Sequence, residues 1–172
     1  MTLVFGYAGA QLYRFLRIQT IKIDDRFYVL LGGGGNTAVL IGDDSVLIAF
    51  GKRHIVHTGD LFLHEMYPFI DLRGGGSVRA WPATLDRVLA MGEVSQYIPG
   101  HGPLSTRADV LRFQGYLRSL LTQVEPLVAR GASLAAVQAA VDLHEYDDFT
   151  GTPFFTSRAK NIESVYRELT AK

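Results

Sequence analysis

The chain has 172 residues, of which 48% are apolar and 20% charged, and its 17 basic and 17 acidic residues give a net charge of zero. This composition is typical of a globular domain with a hydrophobic core, and it argues against the basic surface of a nucleic-acid-binding or membrane-surface protein. No cysteine is present, so disulfides and thiolate chemistry are excluded, and any metal ion must be bound by nitrogen and oxygen atoms.

No apolar run is long enough to span a membrane, and the N-terminal segment lacks the pattern of a signal peptide. We therefore expect a cytoplasmic protein. The sequence has no internal repeat and no low-complexity linker, which predicts a single domain over residues 1–172.

The first part of the chain predicts short strands joined by tight turns. Glycines and aspartates separate five segments with strand-like apolar patterns: residues 17–23, 27–31, 37–41, 46–50 and 54–57. Thr58-Gly59-Asp60 is expected to end the last of these. The four glycines at 32–35 lack the Lys-Ser/Thr pair of a phosphate-binding loop, and they predict a turn. Strands this closely spaced favour a mostly antiparallel sheet.

The second part of the chain changes to helical periodicity. A first helix is predicted within residues 77–91, and a short strand over residues 94–98 follows it. Thr106 and Asp109 have the spacing of a capping box, and they predict the start of a long helix that Gly131 ends. Pro126 is expected to kink or divide this helix. Two further helices are predicted over residues 133–141 and 157–169.

The loop YIPGHGP places His101 between two glycines and two prolines at the end of a predicted strand. A turn requires glycine and proline but not an imidazole, so the loop could serve to present this ring. A second strand end, in HTGDLF, presents Asp60. A carboxylate with an imidazole is consistent with zinc, iron or manganese binding. Spacing alone leaves open that both are ordinary loop residues.

The other histidines give weaker signals. His54 and His57 are three residues apart on a predicted strand, so their side chains should face opposite sides of the sheet. His144 is predicted to lie at the surface near a helix end. The acidic pair Asp147-Asp148 has the sequence context of a turn, where we expect solvated carboxylates.

Three segments resemble, in matching order, three blocks of the metallo-β-lactamase-fold hydrolases: IKIDDRFYVLLGGGGNTAVLIGDDSVLI, IVHTGDLFLHEMYPFIDL and YIPGHGPLS. The C-terminal helices, up to NIESVYREL, resemble the end of that family. The resemblance implies an α/β (α+β) fold, a truncated αββα sandwich with a mixed, mostly antiparallel sheet and C-terminal helices. It also implies that Asp60 matches an aspartate that bridges two metal ions, and that His101 matches a ligand of the second ion.

The sequence departs from this family where most metal ligands should lie. The H-x-H-x-D-H motif is absent, and Ala49 stands where an aspartate is expected. These differences indicate a large internal deletion near residues 48–53. Zinc binding is therefore expected to be weak or absent, with Asp60 and His101 as ligands and His57 or His64 as candidates for a third.

Three functional hypotheses follow. The first is a metallo-β-lactamase-like protein that is catalytically silent or strongly impaired. The alternative is a residual metal-dependent hydrolase of ester, thioester or lactam-type bonds, which takes its third ligand from a nearby histidine or a second chain. A small-molecule-binding domain has no positive support in the sequence. A truncated sandwich should expose sheet edges, so we also expect a homodimer or higher homo-oligomer with the strands at 46–50 and 27–31 at its interface.

Overall fold

A computed structural model describes residues 19–23, 27–32, 35–40, 54–91, 94–152 and 155–171. Within these residues the chain forms five strands, four α-helices and one 3₁₀ turn, which confirms the predicted mixed α/β class. The predicted strand at 46–50, Ala49 and the predicted deletion near residues 48–53 lie outside the described residues. None of the helices in the described part is long and apolar enough to cross a membrane.

The first three strands form an antiparallel sheet. They are β1 (Gln19–Lys22), β2 (Phe27–Gly32) and β3 (Gly35–Leu40), with β2 in the centre. Gly32 pairs with Gly35, so these two glycines close the hairpin between β2 and β3. Among the described strands, β2 is flanked on both sides, so β1 and β3 form the edges of this sheet.

The next two strands form a parallel pair. They are β4 (Ile55–Leu63) and β5 (Gln96–His101), with Ile55 opposite Gln96 and a register shift at Gly59. The prediction that Thr58-Gly59-Asp60 ends β4 was wrong. Gly59 has a positive φ of 52°, and this bulge lets the strand continue to Leu63 instead of terminating it. His54, predicted within the strand, precedes it in a turn with a φ of 53°.

The helices are α1 (Trp81–Leu89), α2 (Arg107–Ala129), α3 (Leu134–Ala140) and α4 (Arg158–Thr170), with a 3₁₀ turn at His144–Tyr146. Helix α2 begins as predicted, because Asp109 Oδ2 accepts the Thr106 N–H at 2.7 Å. It ends before Gly131, which has a φ of +75°. Pro126 was expected to kink or divide this helix, and it does not divide it. The helix continues through Pro126 to Ala129, and the partly buried Leu127 and Val128 beyond it pack against the core.

Helix α2 lies at the centre of the main core. Its buried face packs against residues from β4, β5 and the other helices, among them Phe62, Leu85, Tyr97, Val137, Tyr146, Phe149, Ile162 and Val165. A smaller cluster of Val29, Ile55 and Ile98 joins the antiparallel sheet to β4 and β5. Both clusters include residues of β4 and β5. The packing of these residues fixes the ends of the two strands relative to each other.

Candidate functional site

Asp60 and His101 meet where β4, just after its bulge, passes the C-terminal end of β5. The bulge at Gly59 directs the chain of β4 across the end of β5, and His101 Nε2 lies 3.5 Å from Asp60 Oδ1. The Asp60 side chain is 79% exposed and the His101 ring 37%. The two atoms that would bind a metal ion therefore face each other at the surface. Their role as ligands stays a prediction.

The glycines on either side of His101 are required by the close approach of β4. A Cβ atom on Gly100 would overlap the Asp60 carboxylate and lie 2.8 Å from the Asp60 backbone nitrogen. Gly102 has a φ of +105°, and a Cβ there would lie 2.7 Å from the Cβ of His64. Only glycine allows the loop to pass this close to β4. The two glycines thus explain how His101 comes to lie beside Asp60.

His64 stabilises the same loop. Its backbone N–H donates to the His101 carbonyl at 3.1 Å, and its ring Nδ1 lies 2.9 Å from the hydroxyl of Ser105. Ser105 is buried, and its hydroxyl donates to the Pro103 carbonyl at 3.0 Å. The His64 ring is therefore engaged in holding the loop after β5, and the Ser105 hydroxyl is engaged with the backbone.

His57 is engaged with the bulge. Its Nδ1 accepts the backbone N–H of Gly59 at 2.9 Å, and Thr58 Oγ1 donates to the Ile98 carbonyl at 3.0 Å. In the part of the chain that the structure describes, no group of three or more histidine or acidic side chains lies close enough to hold a metal ion. Catalytic zinc sites use three protein ligands and an open position. Asp60 and His101 therefore supply two of the three ligands of such a site. Within the described residues, neither His57 nor His64 supplies the third.

A cleft of about 430 Å³ opens beside the Asp60–His101 pair. Its other walls are mostly apolar: Leu63, Met66, Tyr67, Phe69, Thr152, Phe155 and Thr156. The rings of Phe69 and Phe155 are 62% and 65% exposed, although large aromatic side chains are normally covered. Sequence reasoning missed these residues. The available signal was two aromatic residues in glycine- and proline-rich loops, FIDLRGGG and GTPFF.

Buried hydrogen bonds fix one wall of this cleft. Asn161 on α4 is 2% exposed, and its Nδ2 donates to the Pro68 carbonyl at 2.8 Å. The Tyr116 hydroxyl of α2 donates to Asn161 Oδ1 at 2.7 Å, and burial raises the pKa of Tyr116 well above its usual range. Glu168 accepts the Val78 N–H at 2.8 Å. The segment that carries Phe69 is therefore attached to α4 on both of its sides.

Asp147 and Asp148 lie in a turn and are exposed, as predicted, and each of them also pairs with an arginine. Asp147 pairs with Arg158, and Asp148 Oδ1 accepts a hydrogen bond from Arg112 at 2.8 Å. This hydrogen bond holds the pKa of Asp148 below its usual range. The Arg112 guanidinium also lies over the ring of Phe149, 5.2 Å from its centroid. These pairs attach the segment after the 3₁₀ turn to α2 and α4.

His144 lies at the surface, as predicted, and away from the cleft. Its side chain is 79% exposed, and its Nδ1 lies 2.9 Å from Asp142 Oδ1. The hydrogen bond to Asp142 raises the pKa of His144. The molecule thus has a second exposed Asp–His pair that lines no part of the cleft.

No protein-family model matches the sequence, and no curated protein matches it. The fold does match solved structures. One of them is the stereoselective inverting sec-alkylsulfatase Pisa1 from Pseudomonas sp., with a TM-score of 0.58 and 15% sequence identity over 89% of this chain. The match covers 25% of the alkylsulfatase, so the chain spans about a quarter of its length. That enzyme has the metallo-β-lactamase fold. This chain is therefore similar in architecture to a truncated metallo-β-lactamase fold, with mixed sheets and C-terminal helices.

Proposed function

We propose that this chain is a metallo-β-lactamase-like protein that is catalytically silent or strongly impaired as a hydrolase. Asp60 and His101 are, in this proposal, the two remaining ligands of a metal site. One observation carries it. The two side chains meet at 3.5 Å, but in the described ranges no third histidine or acidic side chain joins them.

Two ligands bind zinc too weakly to support the usual chemistry of this fold. A metal ion in a complete site lowers the pKa of a bound water and so supplies a nucleophile at neutral pH. Zinc sites that do this have three protein ligands. Weak binding therefore keeps the population of a metal-bound state small.

The alternative, a residual hydrolase, has the cleft in its favour. A space of about 430 Å³ beside Asp60 and His101 is large enough for a small substrate. The third ligand would then come from a rearranged His57 or His64, from a second chain, or from residues outside the described ranges. Its substrates would be esters, thioesters or lactams. The similarity to an alkylsulfatase adds sulfate esters to the substrates worth testing.

Hydrolysis assays with a matched control distinguish the two functions. The wild-type protein and the double variant Asp60→Ala/His101→Ala would be assayed on p-nitrophenyl acetate and p-nitrophenyl sulfate, with and without added zinc. The variant Asp142→Ala/His144→Ala removes an exposed Asp–His pair outside the cleft and serves as the control. We expect all three proteins to show the same background rates. Zinc-dependent turnover that only the Asp60/His101 variant loses would contradict the proposal.

Self-association is a second part of the proposal. A truncated sandwich leaves sheet surface that another copy of the chain can cover. Light scattering at micromolar concentration should therefore give the mass of a dimer or a larger oligomer. A monodisperse monomer would contradict this part of the proposal and leave the first part unaffected.

A further inference from the structure

Two cavities share the exposed rings of Phe69 and Phe155. The first is the cleft beside Asp60 and His101. The second, of about 460 Å³, lies between residues 68–73 and helix α4. Because the same two rings line both cavities, the cavities adjoin at the aromatic pair, and we call the two together the groove. Each cavity is within the size range of small-molecule sites.

The two ends of this groove differ in charge. Asp60 places a carboxylate at the first end, whereas Arg73, Lys160 and Arg167 line the second. The second cavity also contains the carboxylates of Asp71 and Glu163, and Glu163 pairs with Arg167. Three basic side chains against two acidic ones leave a net charge of +1 at this end.

We propose that the groove binds an anionic amphiphile, a molecule with an unbranched alkyl chain and a carboxylate or sulfate head group. The alkyl chain lies in the apolar cleft against Phe69 and Phe155, where it covers two rings that are otherwise exposed to water. The head group lies near Arg73 and Lys160. Asp60 disfavours the reverse orientation, because it would repel an anion at the other end. This binding requires no metal ion, so it goes beyond the proposed function and does not depend on it.

The wall that carries Phe69 is already in place for such a ligand. Asn161 holds the Pro68 carbonyl, and Glu168 holds the backbone at Val78. Segments fixed on both sides lose little conformational entropy on binding, which favours affinity. The Phe69 wall of the groove is therefore held in place before a ligand binds.

Calorimetric titration with dodecanoate, below its critical micelle concentration and at pH 8, tests the proposal. Dodecyltrimethylammonium has the same chain with a cationic head and serves as the charge control, and acetate serves as the head group without a chain. We expect one dodecanoate per chain, at least about tenfold weaker binding of the cationic amphiphile, and no measurable binding of acetate. The result should be the same with added zinc and with EDTA.

Variants at exposed positions locate the site. Phe69→Ala/Phe155→Ala should weaken dodecanoate binding about tenfold or more, and Arg73→Gln by several-fold. Arg87→Gln in α1 and Met91→Ala just after it are control variants, because they make the same kinds of change at exposed positions. Both should leave the affinity for dodecanoate unchanged. All five positions are exposed, so the variants should fold.

Three results would overturn the proposal. The first is the absence of dodecanoate binding, and the second is equal binding of the cationic amphiphile. The third is a dimer that Phe69→Ala/Phe155→Ala dissociates while dodecanoate has no effect, because a second copy of the chain would then occupy the groove. None of these results bears on zinc binding or hydrolysis, so this proposal and the proposed function fail separately.

Discussion

Replacing Gly100 with alanine should damage the fold at the point where the candidate site is formed. An added Cβ would lie 2.8 Å from the backbone nitrogen of Asp60 and 2.8 Å from the carbonyl carbon of Gly59. Real Cβ atoms essentially never approach so closely, and backbone atoms cannot rotate away as a side chain can. Strands β4 and β5 would therefore have to separate locally by several tenths of an ångström.

The expected loss of stability is that of an overpacked core. Such insertions typically destabilise by about 1–3 kcal/mol. We expect the upper half of this range, because β5 places the fully buried Tyr97 and Ile98 directly before Gly100, and both would shift with it. Urea denaturation followed by tryptophan fluorescence measures the effect. Trp81 is the only tryptophan in the sequence, and its indole N–H donates to the Leu61 carbonyl of β4 at 2.7 Å.

The Asp60→Ala protein separates the two clashes of the new Cβ, one with the Asp60 carboxylate and one with the backbone of Gly59 and Asp60. Asp60→Ala removes the carboxylate but leaves the backbone in place, so Gly100→Ala should still destabilise the Asp60→Ala protein by at least about 1 kcal/mol. Gly75→Ala is the control, because Gly75 has a positive φ of 86° and nothing within 4 Å of its added Cβ. It should show only the strain of a left-handed alanine, about 1 kcal/mol. If Gly100→Ala is as stable as the wild type, the close approach of β4 to the loop is refuted.

Three other predictions concern the wall of the groove and the attached segments. Asn161→Ala should destabilise the protein by about 1–3 kcal/mol, because it leaves the buried Tyr116 hydroxyl without its acceptor; Tyr116→Phe in the same background should recover part of this loss. Because Arg112 lowers the pKa of Asp148, the stability from this pair is present above the unfolded pKa of about 4 and is lost as the pH falls through the lower folded pKa. Thermal denaturation between pH 2 and pH 5 should therefore show a shallower acid decline for Asp148→Asn than for the wild type, and parallel curves would contradict this. Ser157→Ala should destabilise by about 1 kcal/mol, since the Ser157 hydroxyl caps α4, and an unchanged urea midpoint would count against that cap.

Local patterns predicted most of the fold. The apolar run at 27–31, the Thr106–Asp109 capping box and the serine at 157 each depend on neighbours in sequence, and each element formed where expected. The errors have tertiary causes. Gly59 looked like a strand end, but pairing with β5 turned it into a bulge within β4. Pro126 did not divide α2, because the partly buried Leu127 and Val128 beyond it still pack against the core.

The candidate site was predictable only in part. Asp60 and His101 could be selected because each was predicted at a strand end in a glycine-rich context. The structure places them 3.5 Å apart, although Asp60 lies within β4. The groove could not be found in this way. Phe69 and Phe155 come from distant loops, and only packing through Asn161 and α4 brings both to one surface. The role of the glycines beside His101 likewise depends on how closely β4 approaches them, which no local pattern records.

Zinc titration of the purified protein tests the central claim most directly, namely that Asp60 and His101 form a two-ligand metal site and not a complete centre. After dialysis against EDTA, competition with a chromophoric chelator at pH 7.5 would give the stoichiometry and the Kd. We expect at most one zinc per chain, bound no tighter than micromolar, with binding lost in Asp60→Ala/His101→Ala and retained in Asp142→Ala/His144→Ala. Zinc that survives dialysis at one ion per chain, or a nanomolar Kd that depends on Asp60 and His101, would contradict the claim, because it would require a third ligand.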